Sequence, residues 1–270
     1  PANDGSEVLS DANGSAPAGP GLSSGLVAWY PLDGNASDMS GNGNHGTVHG
    51  GAVLDTDRHG IPGKAYSFDG VNDWIGIGTA GVGANPVDLT QVAWIRTSNL
   101  VGTYEGPVLT KRHADGGPDW ATLAISGGRA ALINDESGIV ELVQASTYVN
   151  DGSWHQVVGV KNNLTFKIYV DGKLENSKEV ADLLEGSVQE MRIGHHGAFN
   201  QFFKGSIDEV RIYNRALSGG EIKLLYLQEL GRNQVYALDG AAPAGSTASG
   251  LGAALSRNLQ ANQAVELSEP

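Results

Sequence analysis

Short apolar runs recur along residues 25–230, and clusters of Gly, Asn, Asp and Ser break them about every 8–12 residues, the rhythm of an antiparallel sandwich. The runs that predict strands are Leu26–Tyr30, Ala65–Phe68, Trp74–Ile77, Gln91–Arg96, Val108–Lys111, Ala121–Ile125, Ala130–Asn134, Val140–Ala145, His155–Lys161, Thr165–Val170, Met191–Ile193 and Ile207–Tyr213. In Thr165–Val170 the apolar Phe166, Ile168 and Val170 alternate with Thr165, Lys167 and Tyr169, a period of two that gives a sheet one buried face. Asp171-Gly172 then closes a hairpin, because a two-residue turn needs positive φ at both positions. Trp94, Val158, Ile168 and Ile212 are expected between the sheets. One segment reads as a helix: Ser218-Gly219-Gly220-Glu221 is a capping box, followed by Ile222, Leu224, Leu225 and Leu227. The helix should lay Leu224 or Leu225 on the sandwich, since a peptide this short is unstable alone.

Composition sets the limits of the domain. Residues 1–24 and 231–270 are rich in Gly, Ala, Ser, Pro and Asn and poor in aromatics, so they read as an N-terminal linker and a C-terminal linker or assembly tail. A domain flanked in this way is expected to be one piece of a longer protein. The 17 basic and 30 acidic side chains give a net charge of −13, which disfavours nucleic acid and anionic membrane surfaces, both of which are bound through clustered Lys and Arg. No run approaches the roughly 18 consecutive apolar residues of a membrane span. Cysteine is absent, which removes disulfides, thiolate metal sites and cysteine nucleophiles together. With 39 glycines and 40% hydrophobic content, the chain suits an all-β fold with many turns and a full core.

The runs LVAWYPLDGNASDMSGNGNHGTV (26–48), KAYSFDGVNDWIGIG (64–78), AWIRT (93–97), DGSWHQVVGVKNN (151–163), IYVDGKL (168–174), MRIG (191–194) and GSIDEVRIYNRALSGGEI (205–222) occur in that order. The sequence thereby resembles the bacterial LamG-like jelly-roll domain of the concanavalin A-like lectin/glucanase superfamily over about 200 residues. The resemblance implies a two-sheet antiparallel jelly roll, a secreted or cell-surface setting, a structural calcium, and a partner that is a glycan or a neighbouring extracellular protein. It does not imply one ligand, because the fold carries many functions.

A calcium ion takes six to eight oxygens, and the Gly-rich loop from Asp38 to Gly46 concentrates them. Strict alternation in the last strand puts Asp208 on the face of Val210 and Ile212, so its carboxylate needs a partner toward the core. By the family pattern the ion lies between the two segments, held by the side chains of Asp38 and Asp208 and largely by the backbone carbonyls of Asn42 and Asn44. Without the ion, Asp38 and Asn42 form Asx-turns and Asp208 pairs with Arg211 or Arg215.

Catalysis is not expected. A retaining glycosidase needs two carboxyl groups about 5–5.5 Å apart, and the Glu-x-Asp-x-Glu strand pattern of the family's glucanases is absent. Asp135-Glu136 and Asp208-Glu209 are adjacent pairs, which a regular strand points to opposite faces. No Gly-x-Ser-x-Gly elbow occurs, and the histidines lack zinc spacing.

Two loops read as binding sites. Trp120 follows the polar run Arg112–Asp119, where the ring would stack on a sugar while Arg112, His113 and Asp119 bond its hydroxyls. The second loop, His195 to Phe203, offers His195, His196, Phe199 and Asn200. Trp74 and Tyr104 are secondary candidates. The expected function is a calcium-stabilised, non-catalytic carbohydrate-binding module. The alternative is an assembly subunit of an adhesin, filament, surface layer or phage particle, joined through its tails.

Overall fold

A computed structural model describes residues 21–82, 86–98, 106–111, 119–136, 139–180, 190–197 and 201–239. The chain is mostly β. In order it forms β1 (Leu26–Tyr30), β2 (Thr47–His49), β3 (Val53–Thr56), β4 (Pro62–Asp69), β5 (Trp74–Gly76) and β6 (Asp88–Arg96). Next come β7 (Gly106–Lys111), β8 (Asp119–Ser126), β9 (Arg129–Glu136), β10 (Ile139–Tyr148), β11 (Trp154–Asn162) and β12 (Thr165–Val170). The last elements are β13 (Lys173–Glu179), β14 (Met191–Ile193), β15 (His195–His196), β16 (Gln201–Phe202), β17 (Lys204–Tyr213) and α1 (Gly219–Asp239).

Two large antiparallel sheets face each other. One has eight strands in the order β13-β12-β11-β6-β17-β4-β3, with β1 also paired to β17; the other has seven, β10-β9-β8-β7-β14-β5-β2. Strand alternation sends one side chain of each pair inward, and the shared core holds Phe68, Ile75, Ile95, Leu109, Leu123, Leu132, Ile168, Ile193, Ile207 and Ile212 from both sheets. The expected Asp171-Gly172 turn joins β12 to β13, with φ of 52° and 74°.

Ile168 and Ile212 occupy the inter-sheet core as expected, whereas Trp94 and Val158 do not. Both are buried, but on the outer face of the eight-stranded sheet. There Val158 packs with Val92, Val160, Tyr169, Tyr213, Ile222 and Leu225, and Trp94 stacks on Tyr226 at 5.7 Å. The start of α1 therefore gives this sheet a second buried face, which makes β6 and β11 apolar on both sides and hides the alternation that would have separated them. The capping box forms: Glu221 N–H donates to Ser218 Oγ (3.3 Å), and Ser218 N–H donates to Glu221 Oε2 (2.9 Å). Leu225 is buried and Leu224 exposed. The compact unit that carries the sandwich ends at Tyr226, and the rest of α1, which passes the expected boundary at 230, belongs to a second unit from Leu227 onward.

Candidate functional site

The Asp38 loop is closed by its own hydrogen bonds. Asp38 Oδ1 accepts the N–H groups of Trp29 (3.0 Å) and Ser40 (2.9 Å), and Oδ2 accepts that of Asn44 (2.9 Å). Burial works against this carboxylate, but the N–H donors outweigh it and hold its pKa below the usual range. The side-chain amides of Asn42 and Asn44 donate to the backbone carbonyls of Leu26 and Val27, and Tyr30 donates its hydroxyl to the carbonyl of Asn44 (2.6 Å). Asp38, Asn42 and Asn44 thus share one neighbourhood beside β1.

Asp208 stands elsewhere. It pairs with Trp94 on β6 while Arg211 pairs with Val92, so Glu209 and Val210 together oppose one residue, and Glu209 takes φ 49°. This bulge reverses the alternation: Asp208 and Glu209 both leave the core side on which Val210 and Ile212 pack. The expectation that Asp208 shares a face with Val210, and the expectation that Asp208 and Glu209 point apart, both fail for this reason. Asp208 Oδ2 accepts from Arg58 Nη1 at 2.5 Å, with both side chains at most 4% exposed, and Arg58 lies over Trp94 at 4.9 Å. The partner is Arg58, not Arg211 or Arg215. Glu209 accepts the indole N–H of Trp29 (2.8 Å) and an Arg211 N–H (2.9 Å). Burial pushes the Asp208 carboxyl well up while Arg58 pulls it down. Two buried carboxylates held by guanidinium groups offer no open cleft for a substrate.

As a calcium site, the residues fit only in part. Asp38 brings a carboxylate within a loop of carbonyl oxygens, the donor chemistry calcium prefers, but Asp208 already faces a buried guanidinium that would repel a divalent cation. Among the described residues no three His, Asp or Glu side chains converge as metal ligands.

A different cluster lies on the outer face of the seven-stranded sheet. Met191 and Ile193 point into the core, so alternation turns Arg192 outward, and Ile75 does the same for Trp74. β2 and β14 flank β5 on opposite sides. His49, opposite Trp74 in the ladder, stacks on the indole at 3.9 Å and 9°, and Arg192 lies over the same ring at 4.6 Å from the other side. Arg192 Nη1 donates to His195 Nδ1 (3.2 Å), and Arg192 Nε faces Glu190 at 3.4 Å. His195 stacks on Phe202, its partner in the β15–β16 hairpin, at 4.2 Å and 6°. The result is a row of planar groups, each held by its neighbour.

The protonation of His195 follows from its partner. A guanidinium can only donate, so Nδ1 accepts and the single ring proton sits on Nε2. Burial first, then the charges of Arg192 and His196, push the pKa down to about 4, so the ring is neutral near pH 7. Among the described residues its Nε2 is buried with no hydrogen-bond partner. Two glycines make room for the row. A Cβ at Gly197 would stand 2.7 Å from Arg192 Nη1, and one at Gly76 would stand 2.5 Å from Glu190 Oε1 and 2.9 Å from the Trp74 ring.

His195 falls in this row, and His196 lies beside it in the hairpin with its side chain turned to the other face, opposite Gln201. Arg112, His113, Phe199 and Asn200 lie outside the described residues, as does Tyr104. Asp119 and Trp120 open β8 instead of ending a loop; their side chains are outside the description as well. The sequence reading missed Arg192, His49 and Glu190. Arg192 was legible from the Met-Arg-Ile alternation, but His49 was not, because β2 carries almost no apolar signal.

The family model described as the concanavalin A-like lectin/glucanases superfamily matches residues 69–223. No curated protein sequence matches the chain. Among solved structures, domain 4 of AbnA, a GH43 extracellular arabinanase from Geobacillus stearothermophilus, in complex with arabinotriose, is similar with TM-score 0.61 and 21% identity, over 74% of this chain and 98% of that one. The binding domain of Paraclostridial Mosquitocidal Protein 1 gives TM-score 0.59 and 18% identity, over 76% of this chain and 52% of that one. The binding domain of botulinum neurotoxin DC in complex with SialylT gives 0.58 and 14%, over 76% and 52%. The chain spans about half the length of these two toxin domains. At such identities the likeness shows the fold.

Proposed function

This chain belongs to the concanavalin A-like lectin/glucanases superfamily, and we propose that it is a carbohydrate-binding module whose ligand lies along His49, Trp74, Arg192 and His195. The observation that carries this reading is the row itself: a partly exposed arginine seated over Trp74 beside a neutral imidazole on one sheet face. Sugar sites combine planar side chains with a few fixed polar groups in this way. An arabinanase domain of the same fold, solved with arabinotriose, supports the ligand class. Both indole faces of Trp74 are already covered, so it orients Arg192 and meets a ligand with its edge.

The extracellular setting belongs to the same proposal, supported by the extracellular source of the arabinanase domain. No helix among the described residues is long and apolar enough to cross a membrane. The calcium belongs to it in narrowed form: Asp38 and the carbonyl oxygens of residues 38–46 would hold the ion, with Asp208 outside it. A bound ion there would stiffen the loop that follows β1.

A glycan array with the full chain tests the module. Trp74→Ala should abolish the retained ligand, while Trp120→Ala tells this site apart from the one expected around Trp120. An array on which nothing is retained would overturn the reading. One observation favours assembly instead: Leu227 and Leu230, one turn apart on the part of α1 that belongs to the second unit, are 36% and 44% exposed. On that reading light scattering finds an oligomer that Leu227→Glu dissociates.

A further inference from the structure

We infer that this protein pairs with a second copy of itself through the open edge of β3, which joins the eight-stranded sheets of the two copies into one antiparallel sheet. The inference goes beyond the carbohydrate-binding reading and does not depend on it.

The two sides of the sandwich differ in how their edge strands are guarded. On one side β13 carries Lys173, Glu175, Lys178 and Glu179. Polar contacts tie it to β10, the edge of the other sheet: Lys178 to Glu141, Ser146 Oγ to Glu175, and the Asn176 amide to the carbonyl of Gln144 (3.0 Å). Charges of this kind keep a strand edge from pairing with another chain. On the opposite side one segment, residues 47–56, supplies both edges, β2 and β3. It holds no Lys, Arg, Glu or Pro and a single Asp. Val53 and Leu54 are 62% and 47% exposed. Among the described residues β3 has β4 as its only strand partner, and alternate residues of such a strand turn N–H and C=O away from that partner.

Charge and register point to a second copy as the occupant. Asp55, the one charged side chain of the segment, already accepts from Arg96 Nη2 (2.8 Å) and Ser206 Oγ (2.5 Å). Two copies therefore meet here without unpaired charge, although each carries −13 overall. A strongly basic or acidic segment would find no counter-charge on this edge. A two-fold axis through the joined sheet is isologous and sets residues of one face opposite each other. Centred on Leu54, it places the two Leu54 side chains opposite one another and Val53 opposite Asp55. Centred on Asp55, it would oppose two carboxylates, which is destabilising. The strand is also fixed before it pairs. Asp55 anchors its end, Arg58 follows with its buried bond to Asp208, and Gly50 lies against Asn72, whose carbonyl oxygen would stand 2.0 Å from a Cβ. A strand held in this way gives up little freedom on association.

The absence of cysteine lets a single introduced thiol read the register. Directly opposed residues of an antiparallel ladder have Cα atoms about 4.5–5.5 Å apart, within reach of a disulfide. Under mild oxidation of the full chain, Leu54→Cys should give a disulfide-linked dimer. Val140→Cys, 40% exposed on the guarded edge strand β10, should stay monomeric. Sedimentation of the native chain over about a hundredfold range of concentration should show a monomer–dimer equilibrium, since association follows mass action. Val53→Lys, which places a charge on the open edge, should shift that equilibrium to monomer with an unchanged circular dichroism spectrum, and Leu227→Glu should leave the dimer intact. A native chain that stays monomeric throughout, with Leu54→Cys linking no faster than Val140→Cys, overturns the inference. A dimer that Leu227→Glu dissociates and Val53→Lys leaves intact overturns it as well.

Discussion

His155 Nδ1 lies 2.8 Å from Asp171 Oδ2, and the other ring nitrogen lies 3.3 Å from Asp151 Oδ1. Asp171 is the first residue of the β12–β13 turn, so the imidazole ties the start of β11 to the hairpin that follows it. Between two carboxylates both nitrogens are best satisfied as donors, which requires the charged ring. The hydrogen bond to Asp171 is the largest cause, and with Asp151 it raises the pKa above the ordinary histidine value despite burial.

The sign of the pH effect follows from that shift. A raised folded pKa means the native state holds its proton more tightly than the unfolded chain. The stabilisation is complete below about pH 6.5, the unfolded value, and is lost as pH rises through the folded pKa. Urea unfolding at pH 5.5 and 8.5 should show a larger loss for the native protein than for His155→Gln. Equal pH dependence of the two would remove the pair from the stability of the fold.

Arg58 and Asp208 predict a different response. Removing one partner of a buried ion pair leaves the other charge without compensation, at a cost of about 3–5 kcal/mol. Arg58→Met should therefore lower the urea midpoint strongly, although it preserves much of the side-chain volume over Trp94. Arg58→Met combined with Asp208→Leu should recover a large part of the loss. No recovery in the double variant would mean that the cost lies in packing.

The strands with one buried face were legible from the chain, as were the Asp171-Gly172 turn and the capping box at Ser218. β13 was not, since its burial pattern shows six exposed positions of seven and an edge strand needs no apolar face. β2 and β3 were hidden in the same way. The bulge at Glu209 was equally silent, because one added residue leaves composition unchanged while it flips the face of Asp208. Half of the calcium reading, the half on Asp208, depended on that face. In the row of planar side chains, His195 could be singled out as a residue, but its partners come from three separate strands, Arg192 from β14, Phe202 from β16 and Trp74 from β5.

Chelation tests what remains of the calcium reading. An ion that binds only the native state adds stability by mass action, ~3–4 kcal/mol when it is several hundred-fold above its dissociation constant. EDTA should lower the melting temperature of the native protein and of Asp208→Asn alike, and should leave Asp38→Ala unaffected. A transition that EDTA does not move in any of the three would show that the hydrogen bonds to Asp38 suffice to hold the loop.

Gly197→Ala probes the proposed binding row without removing any of its charged groups. The atom a new methyl would meet first is Arg192 Nη1, the free end of a flexible side chain, and φ at Gly197 lies outside the left-handed region. The backbone can accept alanine, so the guanidinium has to give way. Its shift breaks the bond to His195 Nδ1. Stability should change by about 0.5 kcal/mol or less, as for an ordinary surface substitution, whereas affinity for a glycan retained on the array should fall about tenfold or more with the loss of preorganisation. The freed imidazole should also regain a higher pKa, because Arg192 no longer adds its charge beside the ring. Histidine proton resonances followed by NMR from pH 3 to 8 read that change directly. A variant whose His195 titration and sugar affinity both match the native protein would show that Gly197 does not seat Arg192.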